Sequence, residues 1–324
     1  MMQKKLNAIL KIVSESAEPI GSAEISEKLK TLGIKLTERT VRYHLKNLSE
    51  EGLLKGIWKE GRMITNKGKE ELHDSLVFEK VGLMSSRIEN MAYKMDFDLY
   101  EKSGNVIMNL SLFDKGDFKS ALQIMTPVFT KKLTTGNLVA VAKEGERLGG
   151  IVVPVGKIAF GTLCAINLNG ILLKHSVPVE SRFGGVLQIE DNKPLRFTDM
   201  INYSGSTLDP HEIFMKSKMT SVRQACSGSG KILAGVREIP AASINEAEAI
   251  IRKIESANIG RALMIGKSGQ MILGMPVKME RAGIVVPGGL NPIAAVEEAG
   301  INTQTSALGT LVDYKELKTF DAII

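Results

Sequence analysis

The stretch Leu36–Leu54, LTERTVRYHLKNLSEEGLL, decides how the front of this chain is read. Thr37 offers a hydroxyl where a helix would start, and Val41, Leu45 and Leu48 follow at spacings of four and three, which makes one face apolar. Gly52 supplies the stop. At about 100° per residue, Arg39, Arg42, Tyr43 and Lys46 project from the opposite side. Three cations and one hydrogen-bonding aromatic on an exposed face suit a polyanion, whereas on an isolated helix they would be an ordinary solvated surface. The neighbouring segments choose between these readings.

Upstream, Leu6, Ile9, Leu10, Ile12 and Val13 give a broad apolar face over residues 3–16, and Glu18-Pro19 ends it. Ser22 then caps a second helix with Ala23, Ile25 and Leu29 turned inward, and Gly33 closes that helix. Downstream, Leu53–Trp58 and Met63–Thr65 read as two strands around Lys59-Glu60-Gly61-Arg62. The order is helix, helix, turn, helix, hairpin. His44 lies toward the apolar side, where a packed imidazole is expected. Residues 1–70 hold fourteen Lys/Arg against nine Asp/Glu, so nearly all of the net charge of +6 sits in the first fifth of the chain. That asymmetry points to an anion-seeking module joined to a nearly neutral body.

The module resembles winged helix-turn-helix transcription factors, on the pattern T-E-R-T-V-R-Y-H-L-K-x-L followed by E-E-G-L-L. The resemblance implies double-stranded DNA as a partner, with the third helix in the major groove. Arg39 and Tyr43 are expected to read bases, Arg42 and Lys46 to divide between bases and phosphate, and Lys59 and Arg62 to touch phosphate or the minor groove. Thr37 and Thr40 complete the candidate set. The expected domains are a winged helix over 1–72, a connector helix over 73–102 and a regulatory body over 103–324.

In the connector, Met84, Ile88, Met91 and Met95 are spaced four, three and four apart. Such a stripe serves either packing within one domain or a dimer contact. From Ser103 the chain repeats itself: SGNVIMNLSLFDKGDFKSALQIM matches SGKILAGVREIPAASINEAEAII from Ser229, LGGIVVP ending at Pro154 matches RAGIVVP ending at Pro287, and FGGVLQIED after Arg182 matches LGTLVDYKE after Ala307. Two halves, about 103–200 and 228–324, then build an α+β body about a pseudo-twofold axis. Thr162–Val177 is ambiguous. Asn169-Gly170 signals a hairpin, but the counterpart around Asn291–Ala299 reads as a helix, which favours a helix ending at Gly170.

With 324 residues and no apolar run near about 18, the chain is expected to be soluble and cytoplasmic, with no membrane partner. Cys164 and Cys226 have no metal-ligand spacing, and the four histidines are scattered, so no metal or catalytic motif is present and no enzyme is expected. Ser227-Gly228-Ser229-Gly230-Lys231 lacks the phosphate-loop spacing and reads as a flexible joint between the halves. Gly288-Gly289 before Asn291 could present backbone N–H groups to an anion, with Gly156-Lys157 and Gly161-Thr162 in the equivalent place. Ser181-Arg182-Phe183-Gly184-Gly185 sets an Arg among small residues, as a carboxylate clamp requires. Cys164 reads as a small buried hydrophobe.

The winged helix, the run GGIVVPVGKIAFGTLCAINLNGILL over 149–173 and SRFGG over 181–185 resemble the archaeal nitrogen-regulatory repressors of the NrpR family. The resemblance implies a homodimer or tetramer on palindromic operators of nitrogen-assimilation genes, released by 2-oxoglutarate, with no bound cofactor. It places the effector pocket around Gly161, Thr162 and Cys164; Arg182, with Gly184 and Gly185, is the candidate carboxylate partner on chemical grounds. This chain has one regulatory domain where some family members have two, so a second protein with further copies is a possible partner. The rival readings are a DNA-binding scaffold that leaves sensing to such a partner and an enzyme with a DNA-binding appendage.

Overall fold

The apolar faces read from the sequence meet in a small core. The computed structural model describes residues 2–16, 18–31, 33–58, 60–72 and 83–324, and the chain divides into two units, 1–82 and 83–324. Lys59 and the 73–82 part of the expected connector lie outside the described residues.

The first unit contains α1 (Met2–Glu15), α2 (Ser22–Thr31), α3 (Glu38–Glu50), β1 (Leu54–Ile57), β2 (Gly61–Ile64) and helical backbone α4 over 66–72. Ile9, Leu10, Val13, Ile25, Leu29, Val41, Leu45 and Leu48 close on one another with almost no exposure. Each such side chain contributes about 1.5–3 kcal/mol of burial. Ser26 Oγ donates to Leu36 O at 2.8 Å and ties α2 to the entry of α3. β1 and β2 pair antiparallel, Leu54 opposite Ile64, so the hairpin turn is tighter than expected and Gly61 and Arg62 belong to the second strand.

The second unit begins with α5 (Met84–Lys94), whose Met84, Ile88 and Ala92, followed by Met95, are buried in the core of the body. The stripe therefore packs within its own unit. Then come β3 (Asn105–Asp114), α6 (Phe118–Thr130), β4 (Leu138–Lys143), β5 (Arg147–Leu148), β6 (Ile151–Val152), β7 (Lys157–Leu163), α7 (Ile166–Lys174), β8 (Glu180–Glu190), β9 (Lys193–Asn202), α8 (Pro210–Lys216) and α9 (Val222–Ala225). The chain continues through β10 (Gly230–Pro240), α10 (Ile244–Ser256), β11 (Met264–Ile265), β12 (Arg281–Pro287), α11 (Asn291–Glu298), β13 (Gln304–Asp313) and β14 (Lys318–Thr319).

Two five-stranded antiparallel sheets result, in the orders β14-β4-β7-β3-β13 and β11-β12-β10-β8-β9. The last two strands of each stretch cross over: β8, with β9 beside it, pairs with β10, while β13 pairs with β3 and β14 with β4. α6 packs on α11 and α7 on α10. Each sheet and each of the two cores of the body thus takes side chains from both stretches.

The same hydrogen-bond device recurs at both sheet centres. Asn167 accepts from Ile107 N–H at 2.7 Å and donates to Ile107 O at 2.8 Å; Asn291 does likewise with Leu233 at 2.7 and 3.0 Å. Cys164 N–H donates to Ile107 O at 3.0 Å, and Gly288 N–H to Leu233 O at 2.8 Å. These contacts match β7 with β12 and correct the alignment on GIVVP. LGGIVVP forms the small β5–β6 hairpin, and the counterpart of RAGIVVP is KIAFGTL. A short apolar run carries no period that separates a central strand from a hairpin. Cys164-Ala165, rather than Gly161-Thr162, accordingly stands where Gly288-Gly289 stands.

α7 runs on through Asn169-Gly170 to Lys174, past the end expected for it. A Cβ at Gly170 would lie 2.7 Å from Met95 Cε and 2.9 Å from Ala92 O, so the glycine lets α5 and α7 approach closely. The 227–231 segment is a packed turn: Ser221 N–H donates to Lys231 O at 2.9 Å, and Lys231 N–H to Ser221 Oγ at 2.8 Å.

Candidate functional site

Two surfaces carry chemistry, one in each unit. In the first, Thr37 caps α3: its Oγ1 accepts from Thr40 N–H at 3.3 Å and lies 2.9 Å from Thr40 Oγ1. The cap fixes where the helix begins and hence which residues face outward. Arg39, Arg42, Tyr43 and Lys46 are all exposed, whereas His44 is buried with Val41 and Leu45. Arg42 Nη2 reaches Glu38 Oε1 at 2.5 Å, and Lys46 lies 3.7 Å from Glu50. The Arg42 hydrogen bond, joined by one from Ser22, holds the Glu38 carboxyl below its usual range. Both ion pairs are exposed, so they are worth little and release their cations readily to a stronger anion. In the hairpin, Arg62 lies across Gly56, its guanidinium 3.1 Å from where a Cβ would stand, and is half-buried. It positions the hairpin more than it reaches outward.

In the second unit, a crevice opens where β7 and β12 end and α7 and α11 begin. Asn109, Cys164, Ala165, Ile166, Gly289, Leu290 and Leu308 line it, with Tyr203, Asp209, His211 and Arg237 as its polar wall and Ile88 of α5 at its edge. The start of α7 and the start of α11 both contribute, and neither helix has a side-chain cap. Two uncapped N-termini turned into one space favour an anion. A Cβ at Gly289 would stand 2.0 Å from Leu163 O, so only glycine lets the two strand ends come this close.

Arg237 is 1% exposed. Its Nε donates to Asn169 Oδ1 at 3.1 Å, while Nη1 is buried and has no hydrogen-bond partner among the described residues. No carboxylate lies within 4.0 Å of it among those residues, although Asp209 shares the crevice. A guanidinium taken out of water without an ion-pair partner costs on the order of several kcal/mol, a cost an incoming carboxylate would offset. His211 is held below its ordinary value by burial, so its imidazole is neutral near pH 7 and Nε2–H donates to Ala234 O at 3.0 Å. Burial raises the Tyr203 phenol and pushes the Cys164 thiol up to about 12, which leaves both protonated. Cys164 is a small apolar wall here. Among the described residues no cluster of His, Cys, Asp and Glu is placed to hold a metal ion.

The structure brings only some of the candidate effector residues together. Cys164 lines the crevice directly. Thr162 is buried two residues back along β7, its Oγ1 accepting from Asn109 Nδ2 at 3.4 Å, and Gly161 lies deeper in β7 against Met108. Gly184 gives room to Tyr203 and Pro210, and Gly185 to β9. Arg182 is elsewhere, bonded to Glu180 at 2.9 Å and 3.4 Å from buried Glu238, so two carboxylates already answer it. Arg237 is missed by motif and spacing, yet a signal exists: Arg237-Glu238 puts two charges into the otherwise apolar run ILAGVREIP, and buried charges are rare.

Comparison with known proteins fits this two-part layout. Residues 81–319 match the family described as NrpR regulatory domains NRD1 and 2, and residues 7–72 match the Ribonuclease R winged-helix domain. The global nitrogen regulator NrpRI of Methanosarcina mazei is 36% identical over 318 residues, 98% of each chain. The global nitrogen regulator NrpR of Methanococcus maripaludis is 30% identical over 311 residues, 96% of this chain but 54% of that longer protein. A crystal structure of a nitrogen repressor-like protein from Methanococcus jannaschii, 29% identical, covers 74% of this chain and all of its own with a TM-score of 0.64.

Proposed function

Since this chain belongs to the NrpR family and is thereby a nitrogen-regulating transcriptional repressor rather than an enzyme, we propose that it binds palindromic operator DNA as a homodimer or tetramer and releases it when 2-oxoglutarate enters the body. The observation that carries the effector half of this reading is Arg237, a buried guanidinium without a carboxylate partner among the described residues, on the wall of a crevice shared with two helix N-termini. 2-Oxoglutarate brings two carboxylates; one would take the Arg237 fork, in place of the Arg182 clamp expected from the sequence. Cys164 would supply an apolar wall, with Thr162 acting through Asn109.

As it stands the crevice has a free volume of about 20 Å³, room for about one water. Binding therefore requires the walls to part. α5, which contributes Ile88 to the crevice, is also the helix through which the chain enters the body from its winged helix. Displacement of α5 would reset the spacing of two recognition helices on DNA. Such coupling is worth about 1–3 kcal/mol, set by the difference in ligand affinity between the two arrangements. The exposed cationic face of α3 supports the DNA half of the reading. The exchanged last strands and the paired Asn167 and Asn291 devices support an internal duplication of the body. No helix among the described residues is long and apolar enough to cross a membrane, which accords with a cytoplasmic regulator.

A second reading rests on length. This chain spans about half of two NrpR relatives, and a chain with one regulatory domain could complete its assembly with a second protein that carries further copies. Calorimetric titration of 2-oxoglutarate into the pure chain separates the two. Heat with saturation supports direct sensing; a flat trace at millimolar ligand, with duplex binding intact, assigns sensing to the partner.

A further inference from the structure

The loops that follow α6 and α10, one from each stretch of the body, enclose a pocket of about 190 Å³ that shares no residue with the crevice. The two loops are built alike. Lys132 and Asn258 take left-handed φ values of 54° and 57°, and the next residues reach back to their helices, Leu133 N–H to Val128 O and Ile259 N–H to Ile254 O. Arg261 Nη1 crosses from one loop to the other and donates to Lys132 O at 2.6 Å.

The lining of this pocket carries both signs of charge. Lys132 and Arg261 are cations, and Glu255 is a carboxylate whose Oε1 accepts from Ala262 N–H at 3.3 Å while Oε2 has no partner among the described residues. Thr134 is 3% exposed, yet its hydroxyl lines the pocket without a hydrogen-bond partner among those residues. The side-chain amides of Asn137 and Asn258 are open there in the same way. Polar groups buried this far are ordinarily paired, so this set is shaped for something that enters. A lone anion would meet Glu255 and the negative ends of two helices, and a lone cation would meet Lys132 and Arg261. A molecule with one charge of each sign meets neither objection.

We propose that this pocket binds a small free α-amino acid. Its carboxylate lies between Arg261, Lys132 and the Thr134 hydroxyl, and its ammonium lies against Glu255 Oε2 and the carbonyl end of α10. Pockets for drug-sized ligands begin at about 300 Å³, so this one fits a molecule of few heavy atoms. The site is independent of the effector crevice and of the reading given to it.

The melting temperature of the full chain is measured with glycine, L-alanine, L-serine and L-asparagine, and with acetate and methylamine as the two halves of the ligand. At least one amino acid should raise Tm with saturation, and neither half should, alone or with the other. Calorimetry with the amino acid that gives the largest shift then localises it. Thr134→Val should bind about tenfold more weakly, since a hydrogen bond to a charged group is lost. Its ligand-free Tm should hold, because no protein group loses a partner. Glu255→Gln should lower the preference for the amino acid over acetate by about threefold, a selectivity that a purely structural role would leave alone. A shift with acetate equal to that with the amino acids overturns the two-sign site. No shift with any of the four amino acids overturns the proposal, as does binding that survives undiminished in both variants.

Discussion

The Nε–H of Arg237 donates to Asn169 Oδ1 at 3.1 Å, which ties a guanidinium on β10 to an amide on α7, from the other stretch of the body. The bond orients the guanidinium, whose buried Nη1 lies over Gly235 with no hydrogen-bond partner among the described residues. Replacement by Met keeps much of the volume and removes the charge. Arg237→Met should weaken 2-oxoglutarate binding by at least about tenfold, since a charge-assisted hydrogen bond is worth about 1.5–3 kcal/mol. Its melting temperature should hold or rise, because a buried unpaired charge is removed. Calorimetry and a thermal melt on the same preparation check this; a large drop in Tm would show that Arg237 serves the fold.

On the DNA side, Arg39→Ala is expected to cost about 1–3 kcal/mol and to relax base preference. Lys59→Ala should instead weaken all duplexes alike and flatten the salt slope by about one. A gel-shift series at several salt concentrations separates the two effects, and silence of both variants would refute this docking arrangement.

Gly170→Ala tests the closeness of α5 and α7. Helix propensity alone would favour alanine by about 1 kcal/mol. The added methyl, however, would stand 2.9 Å from Ala92 O, which is backbone and cannot swing aside. Overpacking of about 1–3 kcal/mol should win, and the variant should melt lower. A higher Tm would mean that α5 is free to move away.

His211 makes the stability of the body depend on pH. Burial holds its folded value below the ordinary 6.5, so the folded state stays neutral where the unfolded chain takes up a proton. The stability this provides is intact above about 6.5 and is lost as pH falls below it. Melts of wild type and His211→Gln between pH 7.5 and 5, about one unit either side of an ordinary imidazole, should show a steeper decline for wild type. Parallel curves would exclude His211 as the source.

Asn291→Ala removes an amide that satisfies both backbone groups of Leu233 and also Leu133 O at 2.6 Å. Each buried group left without a partner costs about 1–3 kcal/mol, so the variant should be severely destabilised, and Asn167→Ala comparably so. Urea unfolding of the two variants measures it; a small effect in one alone would break the equivalence of the two sheet centres.

The winged helix was legible because its signals are local: the Thr37 cap, the Val41, Leu45, Leu48 spacing and the Gly52 stop each act within a few residues. The body was legible as mixed α+β, but its pairing was not. LGGIVVP and RAGIVVP share letters yet form a peripheral hairpin and a central strand, because neighbours distant in sequence decide which strand is covered. Asn169-Gly170 has the letters of a hairpin turn, but contact with Ala92 and Met95 keeps it helical. Arg182 has the small neighbours of a carboxylate clamp, although carboxylates at Glu180 and Glu238 occupy it. Arg237, the residue that faces the crevice, announced itself only as a charge in an apolar strand.

The loan of β8 to one sheet and of β13 to the other has a consequence for how the body can be cut or inherited. Neither stretch is a separable piece: expressed alone, 103–200 would keep β8 without β10 to receive it and would leave β3 bare where β13 belongs. Such a fragment could close its sheets only by meeting a second molecule and trading strands with it. Inside this one polypeptide, each stretch supplies the strands that complete the other's sheet.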